Sequence, residues 1–264
     1  MMAAALTAGG ADWETNACVE RILTDGGRVR AVVVNGREIG ARAVVSNGSL
    51  PRTVHGLVGD GAFGRDFLDG FDREVRLSNS SCQVYIGIKP GERLEPMGDL
   101  IFSSTCPEYD ADAIAAPHVT SRTYSVYYPS IRPGTDQYTI VASMNARGKD
   151  WDGLAPDAYR AAKRRLIEDT LDALSVHIPR IRQITDCTEA ATPRTFARYT
   201  GHPGGASFGT KFEALKYSMG LPAQVGGLFH TGSTGIIMSG WLGSMNYGII
   251  TANQAEKYLE GPPV

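Results

Sequence analysis

GLFHTGSTG, at residues 227–235, decides the fold of this chain together with MSGWLGS at residues 238–244. A short apolar segment meets a glycine turn, and Gly240 then opens a long helical pattern. Free backbone N–H groups at such a turn and helix start can bind an anion or the edge of an electron-rich ring. The alternative is an ordinary strand, turn and helix that bind nothing. Local physics alone leaves both interpretations open.

The residues before this stretch predict two groups of short strands. After a helical end at residues 1–8, a three-stranded meander is expected, and Asn35-Gly36 is a strong hairpin signal within it. Its strands are predicted at 17–23, 28–34 and 37–45. A short helix is predicted at 51–58. A second, antiparallel sheet is predicted from apolar alternation at 77–88, 100–104, 123–128 and 138–144.

The second half of the chain predicts two long helices separated by loop. An apolar stripe indicates the longest helix at 158–177. Residues 192–209 are rich in Gly, Pro and Thr, which predicts a loop. The final helix is predicted at 240–259, with Ser239 as its N-cap.

Composition excludes several classes of function. The chain has 264 residues, which is enough for one large or two small domains. A formal net charge of -2 gives no indication of nucleic-acid binding. The scattered cysteines and histidines predict no metal site. No apolar run approaches the roughly 20 residues that span a bilayer, so no transmembrane segment and a cytoplasmic location are expected.

The order of short motifs resembles one family, the carotenoid (phytoene) desaturases, carotenoid isomerases and retinol saturases, which are FAD-dependent oxidoreductases. GWLGS at 240–244 is similar to the family's helix start after its glycine turn. TPRT at 192–195, RYTG at 198–201 and GGASFG at 204–209 are similar to further family motifs in the same order. The meander, ending in VVSN at 44–47, resembles the stretch that returns the chain to the FAD-binding domain. The resemblance covers nearly the whole chain.

This resemblance implies an α/β (α+β) fold, specifically the C-terminal part of a two-dinucleotide-type flavoprotein. Residues 1–50 and 185–264 are expected to form part of the FAD-binding domain, and residues 51–184 the substrate-binding domain with its antiparallel sheet. The N-terminal Rossmann βαβ unit of the family is missing. GDGAFG at 59–64 matches GxGxxG, but it follows a helical stretch instead of a strand, so we interpret it as a surface loop.

The resemblance also implies which residues contact FAD. Val19 corresponds to a valine whose backbone holds the adenine end. Contacts to the ribityl, diphosphate and pyrimidine parts are expected from Gly232, Ser233, Ser239, Gly240, Trp241 and Leu242. Ser233 stands where many members carry an acidic residue, and its hydroxyl can still donate to a phosphate or ribityl oxygen. A helix N-terminus there would stabilise negative charge on reduced flavin.

A long apolar substrate would lie along the flavin. The side chains expected to line its channel are Tyr124, Tyr128, Met238, Met245 and Tyr247. For the strand tyrosines, packing within the sheet is the alternative. His202 and His230 could serve as bases, but hydride transfer to a flavin requires none. The sequence identifies no catalytic residue.

The missing Rossmann unit leaves two interpretations, of which we favour the first. The chain is a subunit of a split FAD-dependent oxidoreductase, in which a second polypeptide carries the GxGxxG unit and shares the FAD. That enzyme would dehydrogenate a polyene or isoprenoid-like substrate, either free or bound to a carrier protein. Isomerisation or saturation of a double bond is the alternative chemistry. In the second interpretation the chain is a fragment or a decayed half, such as a scaffold subunit without chemistry of its own. A subunit that assembles the complex or presents the polyene while another protein performs the redox step is a further alternative.

Overall fold

The computed structural model describes residues 2–131, 134–235 and 240–261. The chain forms two compact units. The first comprises Met1–Arg76 and Lys211–Val264, and the second comprises Leu77–Thr210. These divisions differ from the boundaries expected at residues 50 and 184. The boundary expected at residue 184 is displaced because residues 185–191 form an edge strand of the second unit's sheet.

The described residues contain ten strands. In chain order they are β1 (Val19–Asp25), β2 (Arg28–Val34), β3 (Arg37–Gly40), β4 (Val44–Ser46), β5 (Ser80–Ile88), β6 (Leu100–Ser104), β7 (Ser121–Tyr127), β8 (Thr139–Ala146), β9 (Thr185–Ala191) and β10 (Leu228–His230).

The α-helices of the same residues are α1 (Met2–Ala8), α2 (Arg65–Glu74), α3 (Ala111–Ala115), α4 (Lys149–Asp152), α5 (Pro156–Ser175), α6 (Ile181–Ile184), α7 (Pro193–Thr200), α8 (Leu215–Gln224) and α9 (Gly240–Glu260). A further helical segment at Arg52–Val58 confirms the short helix predicted there. GDGAFG at 59–64 follows this segment, as expected, and no strand precedes it directly. Among the described residues, no helix is both long and apolar enough to cross a bilayer.

The first unit holds the predicted meander and a short parallel strand pair. The third strand, predicted at 37–45, ends at Gly40, and residues 44–46 form the separate strand β4. β1, β2 and β3 are neighbours in that order. Asn35 and Gly36 both have positive φ, which these residues adopt most readily in a hairpin turn. β4 and β10 pair in parallel, with His230 opposite Ser46. A cluster of buried side chains forms the core and includes Ile22, Leu50, Val54, Phe71, Leu221 and Leu228.

The second unit is built on a five-stranded antiparallel sheet with the order β6-β7-β8-β5-β9. Alternation in β5 buries every second residue, from Ser80 to Ile88. The buried side chains of the sheet share one core cluster with the apolar stripe of α5, which contributes Leu166, Leu171 and Leu174. Side chains of the opposite face of the sheet are half-buried or exposed.

The predicted loop at 192–209 is wrong over its first part, because α7 occupies residues 193–200. Thr192 and Thr195 form a reciprocal capping box, and Pro193 stands in the first turn, where its missing N–H costs nothing. Gly201 ends the helix with φ 68°. Threonine and proline therefore act here as a helix start. The sequence pattern also predicts neither β9 nor α8.

Candidate functional site

The candidate cofactor site lies at the carboxyl ends of β4 and β10, and we call it the strand-end site. Asn47 and Gly48 follow β4, while Thr231 and Gly232 follow β10. The Thr231 amide donates to the Ser46 carbonyl at 2.9 Å, so the two strand ends stay side by side. Ligands of open α/β sheets bind outside the carboxyl ends of parallel strands. The predicted glycine turn therefore occupies a position typical of ligand binding.

Two glycines shape this turn. Gly232 has φ 98°, and a Cβ built on it would lie 2.1 Å from Asn47 Oδ1. Gly235 has φ 63°, and its Cβ would lie 2.9 Å from the Phe212 Cα. Both positions need a left-handed backbone and a close approach that only glycine allows. The backbone path of residues 232–235 therefore depends on glycine at its first and last positions.

Two threonine hydroxyls at the same turn are buried without a hydrogen-bond partner among the described residues. They belong to Thr231 and Thr234 and flank Gly232-Ser233 on either side. Buried polar atoms are nearly always hydrogen-bonded in folded proteins. The two hydroxyls therefore fit a bound group that supplies polar atoms at this turn. Ser233 itself is half-buried.

His230, at the end of β10, belongs to a buried hydrogen-bond network. Its Nε2 lies 2.9 Å from the Gly48 carbonyl, and its Nδ1 lies 2.6 Å from Ser218 Oγ. Ser218 Oγ also lies 2.5 Å from the Tyr247 hydroxyl. A carbonyl can only accept, so in the neutral ring Nε2 carries the proton and Nδ1 accepts from Ser218. Both ring nitrogens of His230 are therefore engaged, and the ring is fixed instead of being positioned as a base.

The other predicted residues of the first unit differ in exposure. Val19 lies on β1 and is partly exposed, while Trp241, Leu242 and Met245 of α9 are exposed. Tyr247 faces inward, and burial raises the pKa of its hydroxyl despite the bond to Ser218. Gly240 begins α9 with φ 67°. The remaining two predictions, Met238 and Ser239, lie outside the described residues.

The two strand tyrosines of the second unit lie in different surroundings. Tyr124 has no exposed surface and belongs to the core cluster, which is the packing alternative. Burial raises the pKa of its hydroxyl, which has no partner among the described residues. Tyr128 packs at the edge of this core, and its hydroxyl accepts from the Met97 amide at 3.1 Å. His202, in the same unit, bonds to the Ala206 carbonyl at 2.9 Å.

The face of the second unit's sheet that lies opposite its core carries many polar side chains, and we call it the polar sheet face. Its side chains alternate with the core residues. Hydroxyls and amides come from Ser81, Gln83, Tyr85, Ser121, Thr123, Ser125, Tyr127, Thr139, Ser143 and Asn145, and apolar side chains on the same face come from Val141, Leu100 and Phe102. Two cavities, of about 290 and 330 Å³, are lined partly by these residues. This surface was not predicted from the sequence, because only the apolar residues of the alternating strands were used to predict the sheet.

No protein-family model matches the chain, and no curated protein matches it in sequence. Solved structures do match. The chain is similar to an oxidoreductase from Methanosarcina mazei, with a TM-score of 0.56 and 13% identity over 96% of this chain and 52% of that one. It is also similar to a protoporphyrinogen oxidase-like protein from Exiguobacterium sp. 255-15, with a TM-score of 0.50 and 13% identity over 93% and 47% of the two chains. The chain thus shares its fold with about half of each of these two proteins and spans about half of their length.

The described residues contain no group of three or more His, Cys, Asp or Glu side chains placed to hold a metal ion. The strand-end site instead offers backbone and hydroxyl groups. Such groups suit an organic ligand with phosphate or hydroxyl oxygens better than a transition metal.

Proposed function

We propose that this chain is the substrate-binding half of an FAD-dependent oxidoreductase and shares its FAD with a second polypeptide. The observation that carries the proposal is the strand-end site. It combines parallel strand ends, a glycine turn and two buried hydroxyls that have no partner among the described residues. The similarity to half of two oxidoreductases supports the same conclusion.

The residues of the strand-end site fit the central part of FAD. The Thr231, Ser233 and Thr234 hydroxyls offer hydrogen bonds to ribityl or phosphate oxygens, and Gly232 leaves the turn clear of side chains. Bound FAD would supply hydride acceptance, and this chain would hold and orient it. The further contacts we propose, from the family resemblance, are Val19, Ser239, Gly240, Trp241 and Leu242.

Exposed apolar surface on α9 supports a partner polypeptide. Trp241, Met245 and Ile249 are spaced four residues apart and so share one helix face. They are 84%, 50% and 60% exposed. In addition, β4 and β10 form a parallel sheet of two strands within the described residues, whereas parallel sheets normally have several strands and both faces covered. A polypeptide that carries a Rossmann unit would extend this sheet and cover the helix face.

The proposed reaction is dehydrogenation of a long unsaturated chain such as a polyene, with isomerisation or saturation of a double bond as the alternatives. The polar sheet face adds a constraint on that substrate. A surface that combines serine, threonine and amide side chains with the exposed Leu100 and Phe102 favours an apolar molecule that also carries hydrogen-bonding groups over a pure hydrocarbon, because a pure hydrocarbon would leave the polar groups unpaired. Met245 is exposed and stays a proposed lining residue of the substrate channel. Tyr128 lies at the edge of the second unit's core.

Co-expression with the polypeptide encoded by a neighbouring reading frame that contains GxGxxG tests the proposal. We expect the two chains to co-purify as a yellow complex with a visible flavin absorption band. Replacing Ile249 by Asp should weaken the complex, because a charge would be buried at the interface. Val176→Asp is the matched control, since Val176 is an exposed apolar residue in the second unit.

Two outcomes would contradict the proposal: a chain that stays monodisperse and binds no partner, or a complex that contains no flavin. Catalysis is then separated from substrate delivery by adding a candidate polyene without oxygen. Bleaching of the flavin band indicates catalysis in the complex. An unchanged band with tightly bound polyene indicates a delivery subunit.

A further inference from the structure

A cleft of about 740 Å³ lies in the second unit between α5, β9 and α7. Its walls combine cationic and aromatic side chains. The charged groups are Lys163, Arg194, Arg198 and Glu189, and the rings are Tyr85, Tyr159 and Tyr199. Three positive charges thus face one negative charge. Neither the proposed FAD site nor the core of this unit uses the charged side chains, while the Tyr159 ring also packs against the core.

Arg194 is held in place on one wall of the cleft. Its guanidinium carbon lies 4.5 Å from the centre of the Tyr159 ring, and its Nη1 donates to the Leu154 carbonyl at 3.1 Å. Tyr159 is itself anchored through its hydroxyl, 2.9 Å from Thr192 Oγ1. A guanidinium has five N–H donors, so Arg194 keeps most of them for another acceptor. Because the group is already positioned, little conformational freedom is lost when an anion binds.

Arg198 adds a second positive charge beside the first. It lies four residues after Arg194 on α7, so both project from the same helix face, where like charges repel. Neither arginine forms an ion pair within the part of the chain that the structure describes. Such a pair of cations is stabilised by an anion between them.

Lys163 and Glu189 form the remaining charged pair of the cleft. Lys163 Nζ lies 2.7 Å from Glu189 Oε1, and Glu189 is 72% exposed. The hydrogen bond from Lys163 lowers the pKa of Glu189 below its ordinary value, so Glu189 is ionised at neutral pH. The Glu189 carboxylate therefore accepts the hydrogen bond from Lys163 that an external carboxylate could otherwise accept.

We propose that this cleft is an oxyanion-binding subsite. Arg194 and Arg198 bind a carboxylate or phosphate group, for which the planar guanidinium provides paired hydrogen bonds. The exposed rings of Tyr85 and Tyr199 pack against the body of the ligand. Glu189 competes with that ligand for Lys163.

The position of the cleft links it to the proposed substrate surface. Tyr85 belongs both to the cleft and to the polar sheet face. An anionic group held in the cleft would therefore lie at the margin of that face. The conclusion that the substrate itself carries the anion rests on the proposed function, whereas oxyanion binding by the cleft does not.

Titration of the full chain with benzoate and with inorganic phosphate, followed by calorimetry, tests the subsite. We expect saturable binding that weakens as salt is raised, and no binding of benzamide, the neutral counterpart of benzoate. Preference for benzoate or for phosphate identifies which oxyanion the cleft takes. Arg194→Gln and Arg198→Gln should each weaken binding at least about tenfold. Arg165→Gln, on an exposed part of α5, is the matched control and should leave affinity unchanged.

Glu189→Gln is the most discriminating variant, because the proposal predicts that it increases the affinity for the oxyanion. Removing the competing carboxylate frees Lys163 and should tighten oxyanion binding severalfold. If the ion pair were merely structural, its loss would not increase the affinity. Absence of saturable binding for both anions overturns the proposal. So does an unchanged affinity in Glu189→Gln together with arginine variants that match the control. The assay needs neither FAD nor a partner, so its failure is distinguishable from failure of the proposed function.

Discussion

At the scale of single residues, Gly232 makes the closest approach at the strand-end site. Gly232→Ala should destabilise the chain and lower the FAD content of the complex, because the new Cβ meets Asn47 Oδ1 at 2.1 Å in a backbone with φ 98°. Gly36→Ala, in the hairpin between β2 and β3, is the matched control. Its φ is also positive, but no described residue lies within 4 Å of the new Cβ, so only the backbone strain of about 1–2 kcal/mol applies. Urea unfolding and flavin absorbance measure both effects, and equal losses in the two variants would contradict the close-contact argument.

Ser218 holds the buried network of His230 and Tyr247 together, so removing the Ser218 hydroxyl should cost more stability than removing the Tyr247 hydroxyl. Ser218→Ala removes the hydrogen bonds of Ser218 to both the His230 Nδ1 and the Tyr247 hydroxyl, and we expect a loss of about 2 kcal/mol or more in unfolding free energy. Tyr247→Phe leaves the bond between Ser218 and His230 intact and should cost about 1 kcal/mol. Chemical denaturation measures both. A larger loss in Tyr247→Phe than in Ser218→Ala would show that Ser218 is not the central member.

The sequence predicted the turn at Gly232 because glycine directly after a short apolar segment is a local signal of a turn. The roles of His230 and Tyr247 could not be predicted in this way. Each is a plausible site residue by type, but the Ser218 hydroxyl that engages both comes from α8, which no local pattern indicated. Partners distant in sequence decide whether a histidine is free to act, and they are known only once the helices are placed.

At the scale of elements, α2 packs against α8 through aromatic rings around Gly70. The Phe67 and Phe71 rings lie 5.5 Å from the Tyr217 ring, and a Cβ on Gly70 would lie 2.7 Å from the Tyr217 hydroxyl. Gly70→Ala should therefore destabilise the chain. In a Tyr217→Phe background the nearest ring atom is 3.6 Å away, and the same change should stabilise by about 1 kcal/mol through helix propensity.

A four-variant comparison of unfolding free energies tests this packing at α2 and α8. The expected result is a reversal of sign for Gly70→Ala between the two backgrounds. If the alanine has the same effect with and without the Tyr217 hydroxyl, the contact does not determine the choice of glycine. Tyr217→Phe alone supplies the reference for the loss of the hydroxyl itself.

Elements with strong local signals were predicted best. The meander, with its Asn35-Gly36 turn, and the long helices α5 and α9 follow directly from alternation, hairpin residues and apolar stripes. α7 was wrongly predicted as loop, since its Thr192–Thr195 capping box contains the same residue types as a turn. β9 was missed because its alternation is weak, with Asp186, Cys187 and Glu189 all exposed at the sheet edge. Its pairing with β5 is what makes it a strand.

At the scale of the whole molecule, the second unit is continuous in sequence while the first is formed by both ends of the chain. The division could not be read from composition, because no linker-like segment marks it. It is set by pairing: Leu77 and Thr210 form a bridge, so the chain enters and leaves the second unit at one place. The expected boundary at residue 184 fell inside that unit because β9 was not predicted.

This arrangement predicts that the fragment Leu77–Thr210 folds alone. It contains the whole five-stranded sheet and the core cluster that α5 shares with it, and its two ends are adjacent. We expect a cooperative thermal transition, dispersed amide NMR signals and the same benzoate or phosphate affinity as the full chain. A fragment with secondary structure but no cooperative transition would show that its core depends on the first unit. Ile140→Ala, a cavity at a fully buried position of β8, should lower the fragment's unfolding free energy by about 2–5 kcal/mol, as expected only of a packed core.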